Sequence, residues 1–428
     1  MPRPPFPAAL GMTALVTLSL GLAACQPPST HAGPQEGEPR VDGQPVETVP
    51  ADVLLAWNEK VFTVAEAEDR FLTLKGLRTA ALLHLAVHDA LNTIEPRYPP
   101  YLPAEPGPAG DPPEGADPVA AAAQAAHRVA VDQYPDRTQA FDSELERWLE
   151  AVPPGAGREV GARIGTAAAE RILAARESDG WDNEAEYRWH PMAPGVYAEF
   201  AEHSGTPEGF VFGAGWATAR PFVLDRPGHF RAPPPPAIDS EPYARAFAEV
   251  EEVGRHDSST RTADQTHLAM WWKEFVESSH SRLARELVAE EELDLWQAAR
   301  MFALLEMSIF DAYVNVFENK FHYNHWRPYT AIRWAAEDGN PRTDPDPEWD
   351  NLHRHTYAFP SYPSAHGAAS AAAMTVLASV FGARLASSVV VHRDRPDRPP
   401  PAPPLVEHRH DDQVEERRGQ QATEDHLR

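Results

Sequence analysis

The sequence predicts an all-α protein, a helical bundle that occupies residues 51–382 as one domain. Apolar residues recur at helical spacing in several long segments. No segment shows the strict alternation of apolar and polar residues that marks a half-buried strand. The chain also has no short-period repeat and no glycine-rich nucleotide loop. These three observations favour packed helices over an α/β fold.

The first helical pattern is GLRTAALLHLAVHDALNTIEP, in which apolar residues follow a 3.6-residue period until Pro96. Asp117 and Pro118 then predict the cap and the first turn of a second helix. The small residues of 157–176 predict a third helix that packs closely on its neighbours. Tryptophan, glycine and proline in 179–236 predict loops.

Helices are expected to resume at Tyr243 and to continue through 262–277. The segment 293–320 carries a long apolar face, which requires burial against other helices. We expect the pair Trp271-Trp272 to belong to the core.

Both ends of the chain differ in composition from the middle. Residues 1–25 carry Arg3, a short apolar stretch and the sequence LAAC, ending at the single cysteine, Cys25. LAAC resembles a bacterial lipobox, so we expect a lipoprotein signal peptide; an ordinary signal peptide is the alternative. Residues 26–50 predict a flexible linker. The expected protein is exported and tethered to a membrane only through lipid on Cys25, in the periplasm or at the cell surface.

The net charge of −26 over 428 residues argues against nucleic acid as a partner, because no basic stripe is present to neutralise phosphates. A small anion needs only two or three local cations. Lys320 and Arg327 are candidates: they lie seven positions apart, about 10 Å along an unbroken helix. Pro328 disfavours helix at Arg327, so we expect the chain to bend there and turn the guanidinium inward. Two solvated surface cations are the alternative.

A second candidate is the sequence FPSYPSAHG, which leads into an alanine-rich helix. Ser364 is positioned as the N-cap, and the amides of Ala365, His366 and Gly367 would point out of the helix start. Free N–H groups and the positive end of the helix dipole favour an oxyanion, for which His366 would act as general acid–base. Simple capping and a surface histidine are the alternatives.

Lys-x6-Arg-Pro followed by Pro-Ser-x-His resembles the first two motifs of the acid phosphatase and vanadium-dependent haloperoxidase superfamily, also called the type 2 phosphatidic acid phosphatase superfamily. The segment HLAVHDALNTIEPRYPPY resembles its secreted bacterial haloperoxidase-like branch. The resemblance implies a helical bundle that binds vanadate, or phosphate in the same site. It assigns anion binding to Lys320, Arg327, Ser364 and the Ala365 amide, and acid–base chemistry to His366. The substrates would be hydrogen peroxide and a halide, or a phosphate monoester in an acid phosphatase.

The chain departs from this family pattern in two ways. Ala365 stands where the family usually has glycine. The third family motif, an arginine followed six positions later by the axial or nucleophilic histidine, is not found in 383–428. That segment is rich in arginine, proline and aspartate, so we expect a disordered tail, and we interpret it as a frameshift or truncation. A catalytically inactive family member is therefore a third functional alternative.

The remaining histidines have weaker patterns. His84 and His88 lie in an apolar segment, which favours core packing over a metal site. His353 and His355 precede FPSYPSAHG, and the sequence leaves open whether they line the anion site.

Overall fold

The computed structural model describes residues 48–69, 74–102, 115–198, 201–204 and 210–382. Nearly all of the expected signal peptide and linker, and the whole of the expected tail, lie outside these residues. The described helices are α1 (Asp52–Asp69), α2 (Leu74–Ile94), α3 (Pro118–Gln133), α4 (Thr138–Ala151), α5 (Ala156–Ala175), α6 (Ala201–Ser204), α7 (Glu241–Gly254), α8 (Ala263–Trp271), α9 (Val276–Glu290), α10 (Leu295–Tyr323), α11 (Pro328–Arg333) and α12 (Ala365–Phe381).

The predicted all-α class is confirmed. Within the described ranges, β-type pairing is limited to three isolated bridges, and short 3₁₀ turns complete the regular structure. No helix among these residues has both the length and the apolar character that a membrane span requires.

Two helices form the centre of the bundle. α2 is buried along almost its whole length, and α10 packs against both α2 and α12. α3 lies between α2 and α5, and its contact with α5 is the most extensive between any two described helices. The main core therefore runs from α1 at one end of the described chain to Phe381 at the other.

Several helix boundaries fall where the sequence predicts them. The Asp117 side chain accepts a hydrogen bond from the Ala120 amide, and Pro118 opens α3. α5 corresponds to the small-residue segment 157–176. The helix expected across 262–277 is wrong in one respect: the chain leaves helical geometry at Trp272 and re-enters it after Phe275, where the backbone is extended (ψ 129°).

Two long helices, α1 and α4, were not predicted, and neither were the short helices α6 and α11. α4 exposes most of its surface and fully buries only Phe141. Its apolar pattern is correspondingly weak. α1 is well buried but includes the polar Asn58 among its core residues, which interrupts the periodicity.

A smaller apolar cluster lies apart from the main core. It joins α7 and α11 through Tyr243, Phe247, Trp326, Ile332 and Trp349. α10 ends in the main core, and α11 begins in this second cluster, so the connection 324–327 passes between them. That connection positions Arg327.

Candidate anion site

Lys320 is buried near the C-terminal end of α10, with 2% of its surface exposed. Its Nζ donates hydrogen bonds to the carbonyl oxygens of Pro360 (3.1 Å) and Ser361 (2.8 Å). Burial lowers the pKa of Lys320 well below its ordinary value, and the nearby positive charge of Arg327 adds to this. In this structure Lys320 holds the FPSYPSAHG loop against α10.

Arg327 lies in the bend that the sequence predicts. α10 ends because Asn324 adopts a left-handed conformation (φ 47°), and Pro328 opens α11. Arg327 Nε donates to the Phe359 carbonyl (2.6 Å), and its guanidinium carbon lies 4.4 Å from the centre of the Phe359 ring. Its Nη2 is buried and has no hydrogen-bond partner among the described residues. Burial lowers the pKa of Arg327 to about 10, so the guanidinium is still charged at neutral pH.

Ser364 caps α12. Its hydroxyl accepts a hydrogen bond from the Gly367 amide (3.1 Å), and the side chain is otherwise exposed. The capping interpretation is therefore observed. The oxyanion roles of Ser364 and of the Ala365 amide stay predictions.

His366 is half-buried in the first turn of α12. Its Nε2 lies 3.3 Å from the Glu274 carbonyl oxygen, and its ring meets Trp272 edge to face at 6.3 Å. Burial lowers the pKa of His366, so the imidazole is neutral at pH 7. A neutral ring that donates from Nε2 keeps an unprotonated Nδ1, which can accept a proton.

A cavity of about 280 Å³ lies beside some of these groups. Arg327 and His366 both line it, whereas Lys320, Ser364 and Ala365 do not. Lys320 approaches it from behind Phe359, with Nζ 5.2 Å from that ring. The remaining lining residues are Val250, Gly254, Trp272, Lys273, Pro328, Tyr329, Trp349, Asn351, His353, His355, Thr356 and Tyr357.

The lining is electrostatically one-sided. It contains two cations, Arg327 and Lys273, and no carboxylate among the described residues. Burial, followed by the charge of Lys273, lowers the pKa of His355 to about 4 and also lowers the pKa of His353. Both imidazoles are thus neutral at pH 7 and serve as hydrogen-bonding groups. In a chain of net charge −26, this cavity is a positively charged exception.

The structure answers the questions that the sequence left open for the other histidines. His353 and His355 line the cavity. His84 and His88 are buried in the core as predicted, with His84 stacked on Phe302 at 4.8 Å.

The expectation that Trp271 and Trp272 are core residues is wrong, because 48% and 44% of their surfaces are exposed. They lie where α8 ends, outside the main core, and Trp272 borders the cavity. Sequence reasoning also missed Lys273. One signal was available: the chain has only four lysines among 38 basic residues, and two of them, Lys273 and Lys320, lie at this site.

Comparison with known proteins agrees with the geometry. A family model described as the VCPO second helical-bundle domain matches residues 300–409, a span that contains the Lys-x6-Arg-Pro and Pro-Ser-x-His motifs. This match supports the resemblance of that part of the chain to the vanadium-dependent haloperoxidase and acid phosphatase superfamily. The family-model match extends to residue 409, whereas the described residues end at Gly382. The structure expected for the tail therefore stays a prediction.

Solved structures share the haloperoxidase fold. A bacterial vanadium-dependent iodoperoxidase aligns with a TM-score of 0.62 at 20% identity, covering 79% of this chain and 83% of that one. A holo-type bacterial vanadium-dependent chloroperoxidase aligns with a TM-score of 0.53 at 18% identity, covering 72% and 77%. No curated protein sequence matches significantly.

Proposed function

We propose that the protein is an exported vanadium-dependent haloperoxidase that binds vanadate and oxidises halide with hydrogen peroxide. The observation that carries this proposal is the buried, unpartnered Nη2 of Arg327 in the lining of a cavity without carboxylates. A buried charged donor that lacks a partner costs free energy, and a tetrahedral oxyanion would satisfy it.

The residues present fit vanadate in part: Arg327 and His366 line the cavity, whereas Lys320, Ser364 and Ala365 lie outside its lining. Arg327 and Lys320 would hold its oxygens, with the start of α12 contributing Ser364 and the Ala365 amide. Bound vanadate would supply the centre at which hydrogen peroxide is activated. His366 would accept and return protons through Nδ1, while its Nε2 remains on the Glu274 carbonyl. Phe359, which contacts both cations, would limit water around them.

Arg327→Gln tests the proposal. Removing a charge-assisted donor should weaken vanadate binding by about 10- to 100-fold. Equilibrium dialysis measures this without any turnover. Arg245→Gln, which removes a surface arginine paired with Glu241 on α7, is the matched control and should bind normally. Unchanged vanadate affinity in Arg327→Gln would contradict the proposal.

The alternatives use the same cavity. An acid phosphatase would hydrolyse a phosphate monoester such as p-nitrophenyl phosphate without oxidising bromide. The inactive alternative is favoured by the sequence, in which residues 383–428 contain no arginine followed six positions later by histidine. Vanadate binding with neither activity would support it.

Export as a lipoprotein is part of the proposal and rests on LAAC at Cys25. The full chain expressed in a bacterial host should partition into the detergent phase of Triton X-114. The Cys25→Ala variant should move to the aqueous phase. Aqueous partitioning of the unmodified chain would refute the anchor.

A further inference from the structure

The cavity lining contains a cation, Lys273, that has no carboxylate partner among the described residues. Lys273 lies in the connection between α8 and α9, where its Nζ is 3.1 Å from the Tyr357 hydroxyl and 4.7 Å from the centre of that ring. No described carboxylate lies within ion-pair distance of it. The neighbouring carboxylate, Glu274, is directed to Arg282 through two contacts of 2.8 and 3.0 Å. Lys273 therefore has no carboxylate partner that would compete with an anionic ligand.

Aromatic side chains line the same cavity as this cation. Trp272, Tyr329, Trp349 and Tyr357 all line the cavity. Tyr329 is braced from outside by His203, which stacks on it at 3.8 Å with an interplanar angle of 11°. Aromatic walls around a small volume favour a planar apolar ring. The volume of about 280 Å³ is much larger than a halide requires and matches a compact ring compound.

The hydrogen-bonding groups beside Lys273 carry no charge of their own. His353 Nε2 lies 3.3 Å from the Ala269 carbonyl, consistent with a neutral ring that donates there. Asn351 is tied to the backbone of His355 at 2.8 Å. Lys273 is thus the second cationic side chain in the lining, beside Arg327, and it offers a second group to which an anion can bind.

We propose that the cavity also binds a small planar organic acid, with its ring among the aromatic side chains and its acidic group on Lys273. Arg327, whose planar fork suits a tetrahedral oxyanion, would remain the inorganic anion position, and the compact ammonium of Lys273 would take the organic acid. The role of such a molecule as a co-substrate rests on the proposed peroxidase function. Its binding does not.

The test compares benzoate with benzamide, which has nearly the same shape but no charge. Calorimetric titration of the full chain without vanadate should give about 10-fold tighter binding of benzoate. In Lys273→Met, benzoate affinity should fall to that of benzamide, and benzamide affinity should not change. Lys60→Met, on α1, is the matched control, and it should behave as the unmodified chain.

The proposal would be overturned if benzoate showed no saturable binding, or if benzoate and benzamide bound with equal affinity. It would also be overturned if the preference for benzoate survived in Lys273→Met and disappeared in Arg327→Gln. If Lys273→Met fails to fold, Lys273→Arg provides the test, because the retained charge should preserve the benzoate preference. Vanadate dialysis on the same samples separates this proposal from the proposed function, since Lys273→Met should weaken vanadate binding far less than Arg327→Gln does.

Discussion

Individual buried carboxyl groups distinguish this core from an ordinary apolar one. Glu306 on α10 is 1% exposed; its Oε1 accepts a hydrogen bond from Ser281 (2.7 Å), while Oε2 has no partner among the described residues. Burial raises its pKa to about 7, and burial likewise raises the pKa of Glu277 to about 7. Such a group favours the protonated form, and the protein becomes less stable when it ionises.

Glu306→Gln should therefore change the pH dependence of stability. The pKa of Glu306 in the folded protein, about 7, exceeds the ordinary value of 4.5. Between pH 4.5 and pH 7 the folded protein therefore binds a proton that the unfolded chain has released. The free energy of unfolding falls as the pH rises from 4.5 through about 7. Glutamine mimics the protonated form. The variant should match the unmodified chain near pH 4 and exceed its stability at pH 8 by on the order of 3 kcal/mol.

Urea unfolding at the two pH values measures the difference. Glu146→Gln, an exposed position on α4, is the control and should follow the unmodified chain at both. A variant less stable than the unmodified chain at pH 8 would show that the Glu306 charge is stabilising.

At the scale of helices, small residues set how closely α3 and α5 approach. Both Gly161 and Gly165 of α5 face the α3 backbone. A Cβ atom at Gly165 would lie 2.2 Å from the Ala121 carbonyl oxygen and 2.9 Å from the Ala125 amide. Backbone atoms cannot move away as a flexible side chain can, so the packing of this pair depends on glycine.

Gly165→Ala should destabilise the protein by about 3 kcal/mol, because the helices must separate or bend. The same substitution at Gly367 is the control: its Cβ would meet only Ser364, at 3.4 Å or more, and helix propensity should make it neutral or slightly stabilising. Thermal unfolding of both variants decides the point. Equal melting temperatures would mean that α5 adjusts freely against α3.

At the scale of the whole molecule, two carboxylates hold a long connection against the helices. Asp311 of α10 accepts hydrogen bonds from the backbone amides of Phe222 (2.6 Å), Val223 (2.8 Å) and Leu224 (2.9 Å). Asp179 lies at the start of the same connection. Its Oδ2 accepts hydrogen bonds from Nε of Arg78 (2.8 Å) and from Nε of Arg176 (2.9 Å). The loop-rich segment 179–236 is thus fastened to the bundle at both of these points.

Asp311→Asn should lower the free energy of unfolding by about 3 kcal/mol, since one amide oxygen cannot replace a carboxylate that accepts three N–H groups. Limited proteolysis should also cleave the segment near residue 223 faster. Asp225→Asn, directly after the anchored stretch and largely exposed, is the control. Unaltered stability and unaltered cleavage in Asp311→Asn would show that the connection is held by other contacts.

The sequence by itself determined the all-α class, the positions of α2, α3, α5, α10 and α12, the cap at Ser364 and the two motifs that resemble those of the superfamily. These features depend on periodicity, caps and prolines within a few residues of each other, which a linear sequence displays directly. The bend that positions Arg327 belongs with them, because Pro328 acts on its immediate neighbour.

Only the tertiary structure decided which groups meet in the cavity. Lys273, His353, His355 and Tyr357 come from connections whose paths are set by packing against distant helices. The exposure of Trp271 and Trp272 follows from the break between α8 and α9, which no local pattern marks. Whether Lys320 and Arg327 have partners likewise depends on the loop from Phe359 to Ser361, and loop position is a property of the packed molecule.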